Sequence, residues 1–166
     1  MALKLRDKVL ASPAGTQRPL MRDEMHAIAS SVVLDELDLE GYCKYDEERY
    51  ARNTVLLNEH IEVVVICWLP GQASAIHDHG RSNCLYLITQ GEMREDLYDL
   101  DPEGKPKHTQ ARRFGRGAIT IAAPTDVHRI LNDTRANLVT VHLYSPPLDE
   151  AMTLYTPIPT RKRATA

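Results

Sequence analysis

The sequence predicts a mainly β fold, an antiparallel sandwich or small barrel of jelly-roll type with short N-terminal α-helices. Short runs rich in Val, Ile, Leu, Thr and Tyr follow one another from residue 52 onward. Turn-forming pairs separate them. Helical periodicity is confined to the stretch ahead of them. With 166 residues the chain fits one domain, 1–166, that buries a real core.

Residues 1–20 hold Pro13, Gly15 and Pro19 with no sustained period and read as a loosely structured lead-in. Residues 21–45 form a helical preface. From 22 to 34, Met25, Ile28, Ala29, Val32 and Val33 recur at helical spacing, with Asp23 and Glu24 where a helix N-terminus favours negative charge. A second short helix is expected at 34–42, ended by Gly41. Residues 50–150 carry the β core, with strands at 53–57, 61–69, 84–89, 93–100, 118–122, 127–132 and 138–144. Pro70-Gly71, Gln90-Gly91, Asp101-Pro102-Glu103-Gly104 and Asn132-Asp133 supply turn chemistry between them. The charged, Gly-containing stretch 101–117 reads as the longest surface loop, and 151–166 as a C-terminal extension.

Composition narrows the function classes. Twenty Lys and Arg against 23 Asp and Glu give a formal charge of −3, and no basic stripe recurs, so nucleic acid and anionic membranes are not expected partners. Arg161-Lys162-Arg163 is a short solvated tail. No apolar run is long enough to span a bilayer and the N-terminus lacks a signal pattern, which points to a cytoplasmic protein. Cys43, Cys67 and Cys84 form no Cys-x-x-Cys pair and are expected as reduced thiols.

The chemistry lies in the histidines. Alternation along a strand points His77 and His79 to one face, where they can grip one ion, and neutral imidazole suits divalent iron, copper, nickel or zinc. For an isolated His-x-His, two exposed or hydrogen-bonded histidines would be the preferred reading, and the surroundings shift it toward metal. The spacing Gly71, His77, His79, Cys84, Gly91 resembles the first signature of the cupin superfamily, with Cys84 where Glu is usual. Gly117, Pro124, His128 and Asn132 resemble the second, one residue long between Gly117 and Pro124 and with Asp126 where Gly is usual. That resemblance implies a cupin-type jelly-roll β-barrel and the ligand set His77, His79 and His128. Three neutral imidazoles without a carboxylate leave the ion more cationic and more receptive to a thiolate, while zinc stays compatible.

The resemblance then narrows to the cysteine dioxygenase family. It rests on Tyr50-Ala51-Arg52-Asn53, Cys67-Trp68, His77-Asp78-His79, Cys84, His128-Arg129 and His142-Leu143-Tyr144-Ser145-Pro146-Pro147, over about residues 45–150. It implies a mononuclear non-haem Fe2+ enzyme that oxidises the thiol of L-cysteine to cysteine sulfinic acid with O2. Arg52, beside Tyr50, is then the partner of the substrate carboxylate, a role that suits a planar guanidinium. Tyr144 and His142 are the further substrate-binding and catalytic residues. Thr140, in place of a more familiar Ser, orients His142, and Trp68 packs near the pocket. Cys84 and Tyr144 are the pair that family members join by a thioether crosslink, and the family suggests a cis Ser145-Pro146 bond and a monomer. Two other readings stay open. One is a 3-mercaptopropionate or broader thiol dioxygenase, which commonly carries Gln in place of Arg52. The other is a non-catalytic cupin that binds a metal or small ligand.

Overall fold

The computed structural model describes residues 5–10 and 17–156. Its elements are α1 (Leu5–Leu10), α2 (Arg22–Ser30), a 3-10 turn (Leu34–Glu36), β1 (Ala51–Leu57), β2 (Glu62–Trp68), β3 (Ile76–His77), β4 (Asn83–Gln90), β5 (Glu92–Leu100), β6 (Pro106–Gly115), β7 (Ile119–Ala122), β8 (Val127–Leu131), β9 (Leu138–Ser145) and β10 (Leu154–Tyr155). The strands form two antiparallel sheets, ordered β1-β2-β9-β4-β7 and β10-β3-β8-β5-β6. The Ser145-Pro146 bond is cis.

Period-two alternation explains the first sheet. From Val63 to Trp68 every residue of β2 is buried and apolar, which suits a strand covered on both faces. Val63, Val65 and Cys67 pack outward with Met25 and Ala29 of α2, joined by Leu85 and Leu87 of β4 and Val139, Val141 and Leu143 of β9. Val64, Ile66 and Trp68 face inward with Cys84, Tyr86, Ile88, Leu138 and Tyr144. The inward face of β4 and β9 thus mixes phenols, a thiol, Thr140 and His142 among apolar residues. The N-terminus of α2 is held by Glu24, whose carboxylate accepts the Met21 N–H at 2.7 Å.

The structure corrects the sequence reading at five places. The sheets do not close into one hydrogen-bonded barrel: β1 and β7 are edges of one sheet, β10 and β6 of the other, and β10 meets β3 over only two residue pairs. The expected helix at 34–42 is one 3-10 turn followed by irregular chain, because Leu37 and Leu39 alternate and pack onto the outer cluster as an extended cover would. The 101–117 stretch holds a ten-residue strand, β6, exposed along most of its length because it pairs only with β5. Its charged side chains guard the open edge. The two-residue strands β3 and β10 carry no periodic signal. The lead-in holds α1, whose Val9 is fully buried in the outer cluster, while Pro13, Gly15 and the 161–163 cluster lie outside the described residues. Among the described residues no helix is long and apolar enough to cross a membrane.

Strand pairing and the Asp78 carboxylate tie the C-terminal segment to the second sheet. β10 pairs with β3, setting Leu154 opposite His77. The Asp78 carboxylate accepts the Gly80 and Thr153 N–H groups, each at 2.9 Å, and the Tyr155 hydroxyl at 2.7 Å. Gly80 has φ of 59°, and a Cβ there would lie 2.6 Å from the Ala151 carbonyl carbon. Both the backbone conformation and the space require glycine. Gly80→Ala should therefore cost about 1–3 kcal/mol, read as a lower urea midpoint with an unchanged slope. An unchanged midpoint would mean that the 149–155 segment yields at no cost.

Candidate metal centre

His77 on β3 lies directly opposite His128 on β8, and His79 follows in the turn after β3 rather than on the strand itself. All three side chains nevertheless converge, with donor nitrogens within 4.8 Å of one another and the Nε2 atoms of His79 and His128 3.3 Å apart. The far side of two rings is held by acceptors. His77 Nδ1 lies 2.9 Å from the Ala75 carbonyl oxygen and His128 Nδ1 2.7 Å from Glu95 Oε1. A carbonyl and a carboxylate only accept, so both rings carry their proton on Nδ1 and present a lone pair at Nε2. His79 Nδ1 faces the Ala123 backbone without a well-formed hydrogen bond.

Electrostatics keep His77 and His79 neutral. Burial, assisted by repulsion from His128, holds His77 at about 4 and His79 at about 3. Glu95 is buried, which pushes its carboxyl upward, but the His128 hydrogen bond and the Arg112 guanidinium more than offset this and leave it below its ordinary value. Arg112 Nη2 lies 2.6 Å from Glu95 Oε2. Imidazoles converging on one point, two of them fully buried and one backed by a carboxylate, suit a divalent transition metal.

The facing wall comes from the first sheet. Cys84 and Tyr86 on β4 register with Tyr144 and His142 on β9. Trp68 Nε1 donates to Thr140 Oγ1 at 3.0 Å, Thr140 Oγ1 lies 2.9 Å from His142 Nε2, and His142 Nδ1 lies 3.1 Å from Tyr144 Oη. The Thr140 hydroxyl, accepting from Trp68, has one proton and a second lone pair to offer His142 Nε2; when it donates, the imidazole proton lies on Nδ1 facing Tyr144 and the Tyr144 proton is left for the cavity. Burial and the neighbouring Arg52 hold His142 well below its ordinary value, so it stays neutral. Burial and Cys84 push the Tyr144 phenol well up, against the pull of Arg52.

Arg52 completes the cavity. Its Nη1 lies 3.4 Å from Tyr144 Oη, its Cζ sits 5.4 Å from the Tyr144 ring centre, and its Nη2 pairs with Glu62 Oε1 at 3.0 Å. Tyr50 stacks on Trp68 with centroids 4.4 Å apart. A cavity of about 320 Å³ is lined by Tyr50, Arg52, Glu62, His77 and Tyr144, with Leu148, Met152 and Leu154 as its apolar side. This is the size of a site for a small molecule.

Every residue singled out from the sequence thus lies in or beside one cavity: His77, His79, His128, Arg52, Tyr50, Cys84, His142, Tyr144, Thr140 and Trp68. Three further groups escaped the sequence reading. Tyr86 is two residues beyond Cys84 and shares its face, a signal the alternation offered. Glu95 and Glu62 sit on other strands from the groups they contact, and no local spacing marks them.

A family model described as "Cysteine dioxygenase type I" matches residues 16–155. The chain belongs to this family. It is 31% identical to human cysteine dioxygenase type 1 over 132 residues, which cover 76% of this chain and 66% of the human protein. It is 30% identical to the zebrafish (Danio rerio) protein of that name over 138 residues, 79% of this chain and 68% of the relative. The chain therefore spans about two thirds of the length of these relatives. Among solved structures it resembles a double-stranded β-helix protein from Klebsiella pneumoniae, with a TM-score of 0.59 at 22% identity over 75% of this chain and 96% of the other. KdgF from Halomonas gives 0.52 at 20% identity over 64% and 87%. At such identity these structures establish the cupin fold alone.

Glu95→Gln keeps an acceptor for His128 but removes the charge that favours its Nδ1 proton. Metal affinity measured by chelator competition should fall roughly 10- to 100-fold. An unchanged affinity would reduce Glu95 to a packing role.

Proposed function

We propose that the protein is a thiol dioxygenase that binds Fe2+ through His77, His79 and His128 and oxidises L-cysteine to cysteine sulfinic acid with O2. The observation that carries this reading is the cluster of three converging imidazoles, whose His77 shares one small cavity with Arg52 and with Tyr144, itself paired with His142. The donor set fits iron, since imidazole nitrogen without carboxylate keeps the site cationic toward a thiolate. Iron, when bound, supplies the one-electron chemistry of dioxygen that side chains lack.

The chain's own residues then divide the remaining work. Arg52 offers its Nη1 edge, beside Tyr144, to the substrate carboxylate, while Glu62 fixes the other edge. The head is reachable, with 35% of the side chain exposed. Tyr144, receiving a hydrogen bond from His142, directs its own proton at the carboxylate or at an oxygen atom of the reacting group. Leu148, Met152 and Leu154 give the cavity one apolar side. Arg52 is also the feature that favours cysteine over 3-mercaptopropionate.

Anaerobically iron-loaded protein given L-cysteine and O2 should yield sulfinate at one O2 per cysteine, and His128→Ala should abolish both bound iron and product. Arg52→Gln should raise KM for L-cysteine roughly 10- to 100-fold and change it little for cysteamine, which lacks the carboxylate. Absence of sulfinate from the loaded wild-type protein would sink the proposal.

The same site suits a thioether between Cys84 and Tyr144, which are register partners on β4 and β9. Burial keeps the Cys84 thiol protonated, so a slow reaction with iron and O2 is expected: the sulfur–ring carbon bond replaces one S–H and one ring C–H, with O2 taking two electrons and two protons. Trypsin cuts after Arg81 and Arg94, leaving Cys84 and Tyr144 on different fragments. After turnover, mass analysis should find these joined and lighter by about two hydrogens. A lone 82–94 fragment lighter by that amount would assign the bond to Tyr86 instead.

A further inference from the structure

Tyr86 is buried, with 1% of its surface exposed. Its Oη lies 3.1 Å from His128 Nε2 and 3.3 Å from His79 Nε2. These two nitrogens are themselves 3.3 Å apart, so the three atoms form a near-equilateral triangle at the point where the metal ligands converge. Since Glu95 places the His128 proton on Nδ1, His128 Nε2 accepts, and the Tyr86 hydroxyl donates to it.

An ion bound by the histidines takes the same lone pairs. The Tyr86 proton then loses both acceptors where the side chain is only 1% exposed, and a buried donor left unpaired is costly. Its other polar neighbour is the Cys84 thiol, a weak acceptor. The stronger acceptor within the same space is whatever atom binds the ion beside His79 and His128. Tyr86 cannot turn to solvent, because β4 holds it between Ile88 and Cys84 on the inward face.

We infer that Tyr86 is a second phenol at the reacting centre: its hydroxyl donates a hydrogen bond to the anionic or oxygenic ligand of the metal on the His79–His128 side. Tyr144, on β9, addresses the Arg52 side. The ligand class is a small electron-rich donor, a thiolate sulfur or dioxygen, and azide is a stable stand-in. The inference rests on the three-histidine metal site and not on thiol oxidation.

The test uses the full chain loaded with cobalt(II) and titrated with azide, followed by visible absorption. Tyr86→Phe keeps the ring and removes one oxygen. It should retain one cobalt per chain and bind azide roughly ten-fold or more weakly than wild type. Tyr86→Leu serves the same comparison if the Phe variant does not fold. Equal azide affinity in a cobalt-loaded variant overturns the inference. Loss of cobalt from a folded variant overturns it too, since Tyr86 would then serve the ion itself. Thiol turnover does not enter this measurement. A protein that makes no sulfinate yet shows the azide effect disproves the proposed reaction and keeps this inference, and the opposite pattern does the reverse.

Discussion

Three imidazoles must stay neutral and aim their lone pairs at one point, and the rest of the molecule is arranged around that constraint. Lone pairs crowded to 3.3 Å repel, so the rings are held from behind: His77 by the Ala75 carbonyl and His128 by Glu95. Glu95 must remain ionised while buried, which brings Arg112 in from β6. An edge strand that faces solvent along most of its length thus reaches the deepest part of the site through one guanidinium. Burial keeps His77 and His79 in the form that binds metal.

The same constraint explains why the first sheet is covered by helices. Its inward face gives up apolar area to Thr140, His142, Tyr144, Cys84 and Tyr86, so part of the burial that stabilises these strands comes from the outer face. There Val63, Val65, Val139, Val141 and Leu143 meet α2 and the extended 37–42 segment. The polar inward row is tolerated because its members satisfy one another, in the order Trp68, Thr140, His142, Tyr144. Among the described residues, His79 Nδ1 is the buried side-chain nitrogen or oxygen without a partner.

Much of this was legible in the sequence, for identifiable reasons. β2, β4 and β9 are buried on both faces, so their residue choice is tightly constrained and their runs stand out. His142 and Tyr144 are spaced by the period of β9, so local spacing alone brings them to one face, and the same spacing marked His77 and His79 although His79 lies just past the end of β3. Glu95 and Glu62 could not be read this way, because their partners arrive through register between distant strands. β6 was hidden for the opposite reason: an exposed edge has no burial pattern and looks like a charged loop. The 34–42 stretch misled because acidic residues between leucines fit a helix and an extended cover almost equally well.

Asp78 sits between two candidate metal ligands yet points away from the spot where they converge, and its carboxylate holds Gly80, Thr153 and Tyr155. His77 and His79 turn inward while Asp78 between them turns outward, so two properties share three consecutive residues. The inward pair belongs to the candidate metal centre, and the outward carboxylate holds the segment that lends Met152 and Leu154 to the cavity wall. A change at that one carboxylate therefore loosens the wall and leaves the three donor nitrogens in place.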